Sequence, residues 1–144
     1  MKIYLDTSVY NRPYDDQSQA KIYLETQATI IIFNLIENHE IESVNSSVLE
    51  YENQQNPFPI IQQAIKKYLK QTTLFQPLDE TIKQRAKQLE TQGIKAIDAL
   101  HVASFEASKS DYFITCDKRL LRCQMLNIKA INPIDFIQEL DNEN

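Results

Sequence analysis

The sequence predicts an α/β fold, a three-layer α/β/α sandwich around a central parallel sheet. Three observations carry this expectation. Short apolar runs alternate with longer segments of helical periodicity, which implies parallel strands joined by right-handed crossovers. The runs Ile3-Tyr4-Leu5 and Tyr112-Phe113-Ile114-Thr115 are too short for helices and nearly unbroken in apolar character, as strands buried on both faces are. The chain is 144 residues long and 42% hydrophobic, which suits a single domain spanning residues 1–144 with its own core.

The first strand, Ile3 to Leu5, is ended by Asp6-Thr7-Ser8, and Asn11-Arg12-Pro13 reads as a turn. From about Ser18 to Asn38, Ile22, Leu24, Ala28, Ile31, Ile32, Leu35 and Ile36 follow helical spacing, and His39 closes the pattern. Ile41 to Asn45 is a second strand, and Ser46-Ser47 offers an N-cap for a helix through Glu52 that Pro57 and Pro59 interrupt. Ile60 to Lys70 reads as helix and Thr72 to Phe75 as a third strand. Asp79 caps a helix to about Gln92, and Gly93, the single glycine, stands where a left-handed residue is wanted. A mostly apolar helix begins near Asp98 and runs to Ala107. The strand Tyr112–Thr115, a helix from Lys118 to Leu126, the strand Lys129–Ile131 and a helix after Pro133 complete the pattern.

In parallel sheets ligands gather at the carboxyl ends of the strands. Asp6 follows the first strand and Asp117 lies two residues beyond Thr115, so both are directed to one rim. Each acid also has a purely structural explanation: Asp6 as a turn former, Asp98 and Asp117 as caps, Glu52 as a solvated helix residue. Asp98, however, sits between Ile97 and Ala99 in an apolar helix, where an unpaired carboxylate is costly and a cation is wanted. Two glutamates compete for the position after the second strand. Ser47-Val48-Leu49-Glu50 fits a capping box, which would occupy Glu50 and leave Glu52 free. The two stand about 200° apart around a helix, so only one of them faces the rim.

The formal net charge of −5 argues against broad nucleic-acid binding, so any such role must be local. Lys118, Arg119 and Arg122 form the nearest positive cluster, either guiding phosphates or simply facing solvent. His101, one helical turn from Asp98, reads as a satisfied core residue or as a group orienting a carboxylate. Cys116 and Cys123 have neither disulfide-framework nor zinc-ligand spacing and are expected as reduced thiols. Charge arrives after three apolar residues at the N-terminus, and the longest apolar stretch falls short of the roughly 20 residues that span a bilayer. A soluble, cytoplasmic protein with no membrane association is expected.

Four stretches, in order, carry a resemblance. Tyr4-Leu5-Asp6-Thr7-Ser8, Ser46 through Asn53, Ile97-Asp98-Ala99-Leu100-His101-Val102-Ala103 and Tyr112 through Leu121 resemble the successive motifs of PIN domains, over nearly the whole chain. That resemblance implies a Mg²⁺- or Mn²⁺-dependent nuclease with RNA as substrate. It assigns metal binding and catalysis to Asp6, Glu52, Asp98 and Asp117, with Thr115 the hydroxyl that orders the site. Thr115, Lys118 and Arg119 are expected to bind the substrate, the two cations guiding the RNA backbone. The size is similar to that of VapC toxins, which implies a small antitoxin partner and a homodimer. The rival reading is a noncatalytic binding module whose acidic pocket takes a basic side chain from a protein partner. A phospho-acceptor receiver would need an acidic pair directly after the first strand, and Asp15 and Asp16 lie too far on. A haloacid-dehalogenase-like phosphatase would need a second aspartate where Ser8 stands.

Overall fold

A computed structural model describes residues 1–123 and 130–142. Its five strands form one parallel sheet in the order β3-β2-β1-β4-β5: β1 Lys2–Leu5, β2 Glu42–Ser46, β3 Leu74–Gln76, β4 Tyr112–Ile114 and β5 Ala130–Ile131. The helices are α1 Thr7–Asn11, α2 Ala20–Glu37, α3 Ser47–Gln54, α4 Pro59–Leu69, α5 Glu80–Thr91, α6 Ala96–Ala107, α7 Lys118–Arg122 and α8 Pro133–Asn142. α2 packs on α8 and, through Phe33 stacked on Tyr68 at 4.0 Å, meets α4, while α5 and α6 pair with each other. The sheet lies between these helical layers, so the three-layer α/β/α architecture is as expected. Register is set by Ile3↔Tyr112, Tyr4↔Phe113 and Leu5↔Ile114, all buried. The chain steps outward from β1 to β3, then returns across β1 to form β4. The order therefore reverses between β1 and β4, the position where open α/β sheets leave a crevice at their carboxyl ends.

Several local details differ from expectation for identifiable reasons. Thr7–Asn11 is helical rather than irregular, because Asp6 caps it and Val9 and Tyr10 are buried; a single 3-10 turn, Arg12–Tyr14, follows. Ser46 is the cap of α3, accepting the Leu49 amide, so the capping box does not form. Glu50 instead accepts from Asn45 Nδ2 at 2.7 Å, and Ser47 Oγ accepts the Leu78 amide. α6 starts at Ala96, with Lys95 at the cap, which puts Asp98 inside the first turn. The third strand is shifted to Leu74–Gln76 at the sheet edge. Asp79 caps α5 as expected, and Gly93 is left-handed at φ 94°. His39 also takes a left-handed turn, φ 60°, where α2 stops. The expected helix to Leu126 is seen to Arg122; residues 124–126 and Lys129 lie outside the described residues. Among the described residues no helix is long and apolar enough to cross a membrane.

A buried ion pair ties the 3-10 turn to two distant elements. Glu25, with 0% exposure on α2, pairs with Arg12 Nε at 3.0 Å and accepts from Asn132 Nδ2. Arg12 also reaches Asp15 at 2.8 Å and keeps 19% side-chain exposure. Removing one member of a fully enclosed pair costs about 3–5 kcal/mol. Because Arg12 retains Asp15 and some solvent, Glu25→Ala is expected to destabilise by about 2–3 kcal/mol in urea denaturation, against under ~0.5 kcal/mol for exposed Glu90→Ala.

Candidate metal centre

The carboxyl rim of β1 and β4 is built around Asp6, which is 4% exposed. Its Oδ1 accepts the Thr7 amide at 2.8 Å, which starts α1. Its Oδ2 accepts Ser8 Oγ at 2.9 Å and Thr115 Oγ1 at 2.8 Å. The Thr7 amide and the Ser8 and Thr115 hydroxyls are uncharged donors, and His101 Nε2 stands 3.8 Å from Oδ1, beyond hydrogen-bond reach, so the carboxylate is held in place and its charge is not cancelled. Thr115, fully buried, also accepts the Asp117 amide at 3.0 Å, and Ser8 accepts the Cys116 amide at 3.0 Å. These bonds lock the end of β4 to the end of β1. Asp117, half-buried, accepts the Arg119 amide at 2.8 Å and so caps α7 while standing on the rim. Thr115 has no solvent-facing surface, and its contacts are those of a group ordering acids.

Glu52, on α3, is the glutamate that faces the rim. Its Oε1 accepts Thr7 Oγ1 at 2.7 Å and lies in a short hydrogen bond to His101 Nε2. His101 is fully buried on α6. Its Nδ1 lies 2.8 Å from Tyr4 Oη, which in turn lies 2.7 Å from Ser46 Oγ, and its Nε2 lies 3.8 Å from Asp6 Oδ1. Ligand atoms of Asp6, Glu52 and His101 all fall within 4.8 Å of one another. Burial works against the charged imidazole, but the Glu52 hydrogen bond and the Asp6, Glu52 and Asp98 charges prevail and raise its pKa. Burial likewise opposes the Glu52 carboxylate, and the bond and charge from His101, with the Thr7 hydroxyl, bring its pKa down.

Asp98 completes the cluster from α6. Among the described residues its carboxylate has no hydrogen-bond partner. Burial, then the Asp6 and Asp117 charges, push its carboxyl up to about 6, with His101 opposing and Glu52 adding. All four sequence-identified acids therefore act on one place. The set is dominated by hard oxygen donors and carries an excess of negative charge, which suits a divalent cation. Beside Asp98, a cleft of about 120 Å³ between the Gly93–Lys95 loop and α7 is lined by Lys95 and Arg119. Lys118, Arg119 and Arg122 are exposed along α7.

A sequence profile of the PIN domain matches residues 3–124, most of the chain. The chain belongs to the PIN domain family. The match takes in every rim residue described above. Two solved structures share the fold. A chain of VapBC2 from Rickettsia felis, crystallised bound to a DNA fragment from its promoter, is similar at TM-score 0.55 and 16% identity, covering 92% of this chain and 98% of that one. PAE2754 from Pyrobaculum aerophilum is similar at TM-score 0.56 and 14% identity, covering 99% of each. A search of curated proteins finds no match.

Sequence reasoning missed three contributors to this PIN domain's rim. Ser8 and Thr7 look like ordinary turn residues, and only the fold brings them to Asp6 and Glu52. Lys95 gave no signal because it belongs to no motif. His101 was visible through its one-turn spacing from Asp98, but its contact with Glu52 was not.

Asp98 sets a pH dependence. A carboxyl raised in the folded state contributes stability that is complete below the unfolded value near 4 and is lost as pH rises through about 6. In EDTA, Asp98→Asn is expected to be more stable than wild type at pH 7.5, by about 1 kcal/mol after allowance for screening at a half-open site. The difference should shrink toward zero near pH 4. Urea denaturation at the two pH values measures it, and parallel profiles would refute the assignment.

Proposed function

We propose that this PIN domain is a metal-dependent endoribonuclease that hydrolyses RNA phosphodiester bonds with Mg²⁺ or Mn²⁺. The observation that carries the reading is the convergence of Asp6 after β1, Glu52 on α3 and Asp117 after β4 on Asp98 of α6, whose carboxylate has no hydrogen-bond partner among the described residues. A bound divalent ion supplies Lewis-acid charge to the attacked phosphate and makes a water nucleophilic near neutral pH. Asp6, Asp98 and Asp117 would hold it directly or through water, with Glu52 as a further ligand or water-orienting base. Thr115, Ser8 and the Thr7 amide keep Asp6 from turning away. Lys95 and Arg119, on opposite walls of the cleft beside Asp98, would draw the strand's phosphates toward the acids, with Lys118 extending the path along α7.

A protein partner is supported by a different observation. On the Glu52 side the rim opens into a groove of about 430 Å³ lined by Asn11, Tyr14, Phe58 and Ile61, with Tyr14 and Phe58 exposed. A small antitoxin could lay an apolar segment there and offer a basic side chain to the acids, which would silence the nuclease; the binding-module reading then describes the same protein in its blocked state. The VapBC2 neighbour is itself a complex, which supports an antitoxin here. A homodimer has a candidate surface in the apolar groove between α3 and α6, lined by Val48, Tyr51, Leu78, Ile97 and Leu100.

Asp6→Asn is expected to lower cleavage of RNA in Mn²⁺ by about 100-fold or more, since metal stabilisation is worth several kcal/mol. Equal rates for variant and wild type would reject the nuclease reading. Lys95→Ala and Arg119→Ala should each weaken RNA binding and reduce the slope of log affinity against log salt by about 0.7. Fluorescence anisotropy in Ca²⁺ reads this, and Lys87→Ala, on exposed α5 surface, should leave the slope unchanged.

A further inference from the structure

We infer that the groove beside Glu52 is a subsite for one unpaired nucleobase, stacked against Tyr14 and Phe58, from the strand whose phosphate meets the acids. The inference rests on the ribonuclease reading above and goes past it in naming a second place that holds RNA and the part of a nucleotide that fills it. At about 430 Å³ the groove falls within the roughly 300–1,000 Å³ of small-ligand sites. Glu52 lines it and also stands on the acidic rim, so an occupant lies directly beside the acids. Among the described residues no lysine or arginine lines the groove, and its charged members are Asp15 and Glu52, which repel phosphate. The cations Lys95 and Arg119 line the cleft beside Asp98 instead. What the groove offers is two exposed rings, Tyr14 at 44% and Phe58 at 61%, together with amide side chains. That pairing suits a heteroaromatic base, which takes rings against its faces and hydrogen bonds along its edge. A base within a duplex has both already occupied, so the occupant is unpaired.

Both walls are fixed before any ligand arrives. Phe58 stands between Pro57 and Pro59, extended at φ −105° and ψ 104° as a residue before proline is, and its amide donates to Asn56 Oδ1 at 3.0 Å. Asn56 Nδ2 donates to Asn11 Oδ1 at 3.2 Å, and Asn11 Nδ2 to the Thr7 carbonyl at 3.0 Å. This chain of amides links the Phe58 wall to the residue whose hydroxyl donates to Glu52. Tyr14 ends the 3-10 turn that Arg12 ties to buried Glu25. Rings held on a rigid backbone lower the ordering cost of binding. Gln55, at the C-cap of α3, is exposed and makes no side-chain hydrogen bond among the described residues, which leaves its amide for the edge of a base. Isolated exposed rings are common on protein surfaces. Two on fixed backbone in one groove, next to an acidic rim, form a stacking platform. A protein segment laid in this groove would displace the base and so block cleavage.

The test uses a single-stranded RNA oligonucleotide that wild type cuts at one bond in Mn²⁺, remade with an abasic ribose at each position in turn. At one position near the cut bond, loss of the base should lower kcat/KM about tenfold, chiefly through KM. This arm needs no substitution, so it decides even where a variant misfolds. Tyr14→Ala combined with Phe58→Ala should lower kcat/KM on intact RNA by about the same factor, and the two losses should not multiply, because either one removes the same stack. Phe58→Trp should keep wild-type activity, as should Tyr23→Ala on the exposed surface of α2. Indifference to every abasic position, or full multiplication of the two losses, would overturn the inference and leave the groove to a protein partner, with the nuclease standing. Cleavage of no RNA by folded wild type would overturn both.

Discussion

The pairing of β1 with β4 is the constraint on which the rest depends. The two strands are more than a hundred positions apart, yet Leu5↔Ile114 brings Asp6 and Thr115 to the same level, where Thr115 Oγ1 donates to Asp6 from 109 positions along the chain. A slip of one residue would reverse every side chain on the strand. Tyr4 would leave the α6 face, His101 would lose its partner, and Asp6 would no longer meet the end of β4. The apolar residues Ile3, Leu5, Phe113 and Ile114, all fully buried, oppose that slip by hydrophobic burial. Core packing thus positions the acids, although it contributes nothing to their chemistry.

Crowded carboxylates repel, and the rim balances each of them differently. Asp6 is surrounded by uncharged donors, Asp117 accepts the Arg119 amide of α7, and Glu52 is bonded to His101. Asp98 has none of these and bears the repulsion of the others, which its raised pKa reports. That asymmetry has a functional consequence. Three acids are held whether or not a cation is present, and the fourth is the one whose charge a cation would most stabilise. Local destabilisation of this kind is retained at sites that act, and the surrounding core compensates for it.

Much of this was readable before any coordinates, and the failures have physical causes. Strand and helix order follow from apolar spacing, which long segments such as Ala20–Glu37 display over several turns. α1 was not readable: Thr7, Ser8 and Val9 have weak helix propensity, and the helix exists because Asp6 caps it and Val9 and Tyr10 are buried. The structure places Glu52, and not Glu50, against Thr7 and His101 at the rim, though the capping box offered for that choice does not form. Glu50 is occupied by Asn45, a side chain on β2 whose orientation only the sheet fixes. Asp98 was expected near the start of its helix and stands there, as the third residue of α6 rather than its cap, because Lys95 is extended and α6 begins at Ala96. Contacts between residues distant in sequence, such as Thr7 with Glu52 or Tyr4 with His101, left no local trace.

The acidic balance of the chain bears on how the rim could meet RNA. With a net charge of −5, the long-range field does not draw in a polyanion, so attraction must act within about a Debye length, near 10 Å at 0.1 M salt. Free cations close to the acids then matter more than total charge. Arg12 is not one of them: it is committed to Glu25 and Asp15. Its role is to tie the turn after α1 to α2, while Ser8 holds the Cys116 amide ahead of Asp117. Lys95 and Arg119 have no ion-pair partner among the described residues and line the cleft beside Asp98, whose carboxylate likewise has none. Arginine spent on rigidity and lysine with arginine left free at the cleft are two uses of the same charge. Together they let an acidic protein keep its carboxylates rigid while leaving a narrow positive approach to them.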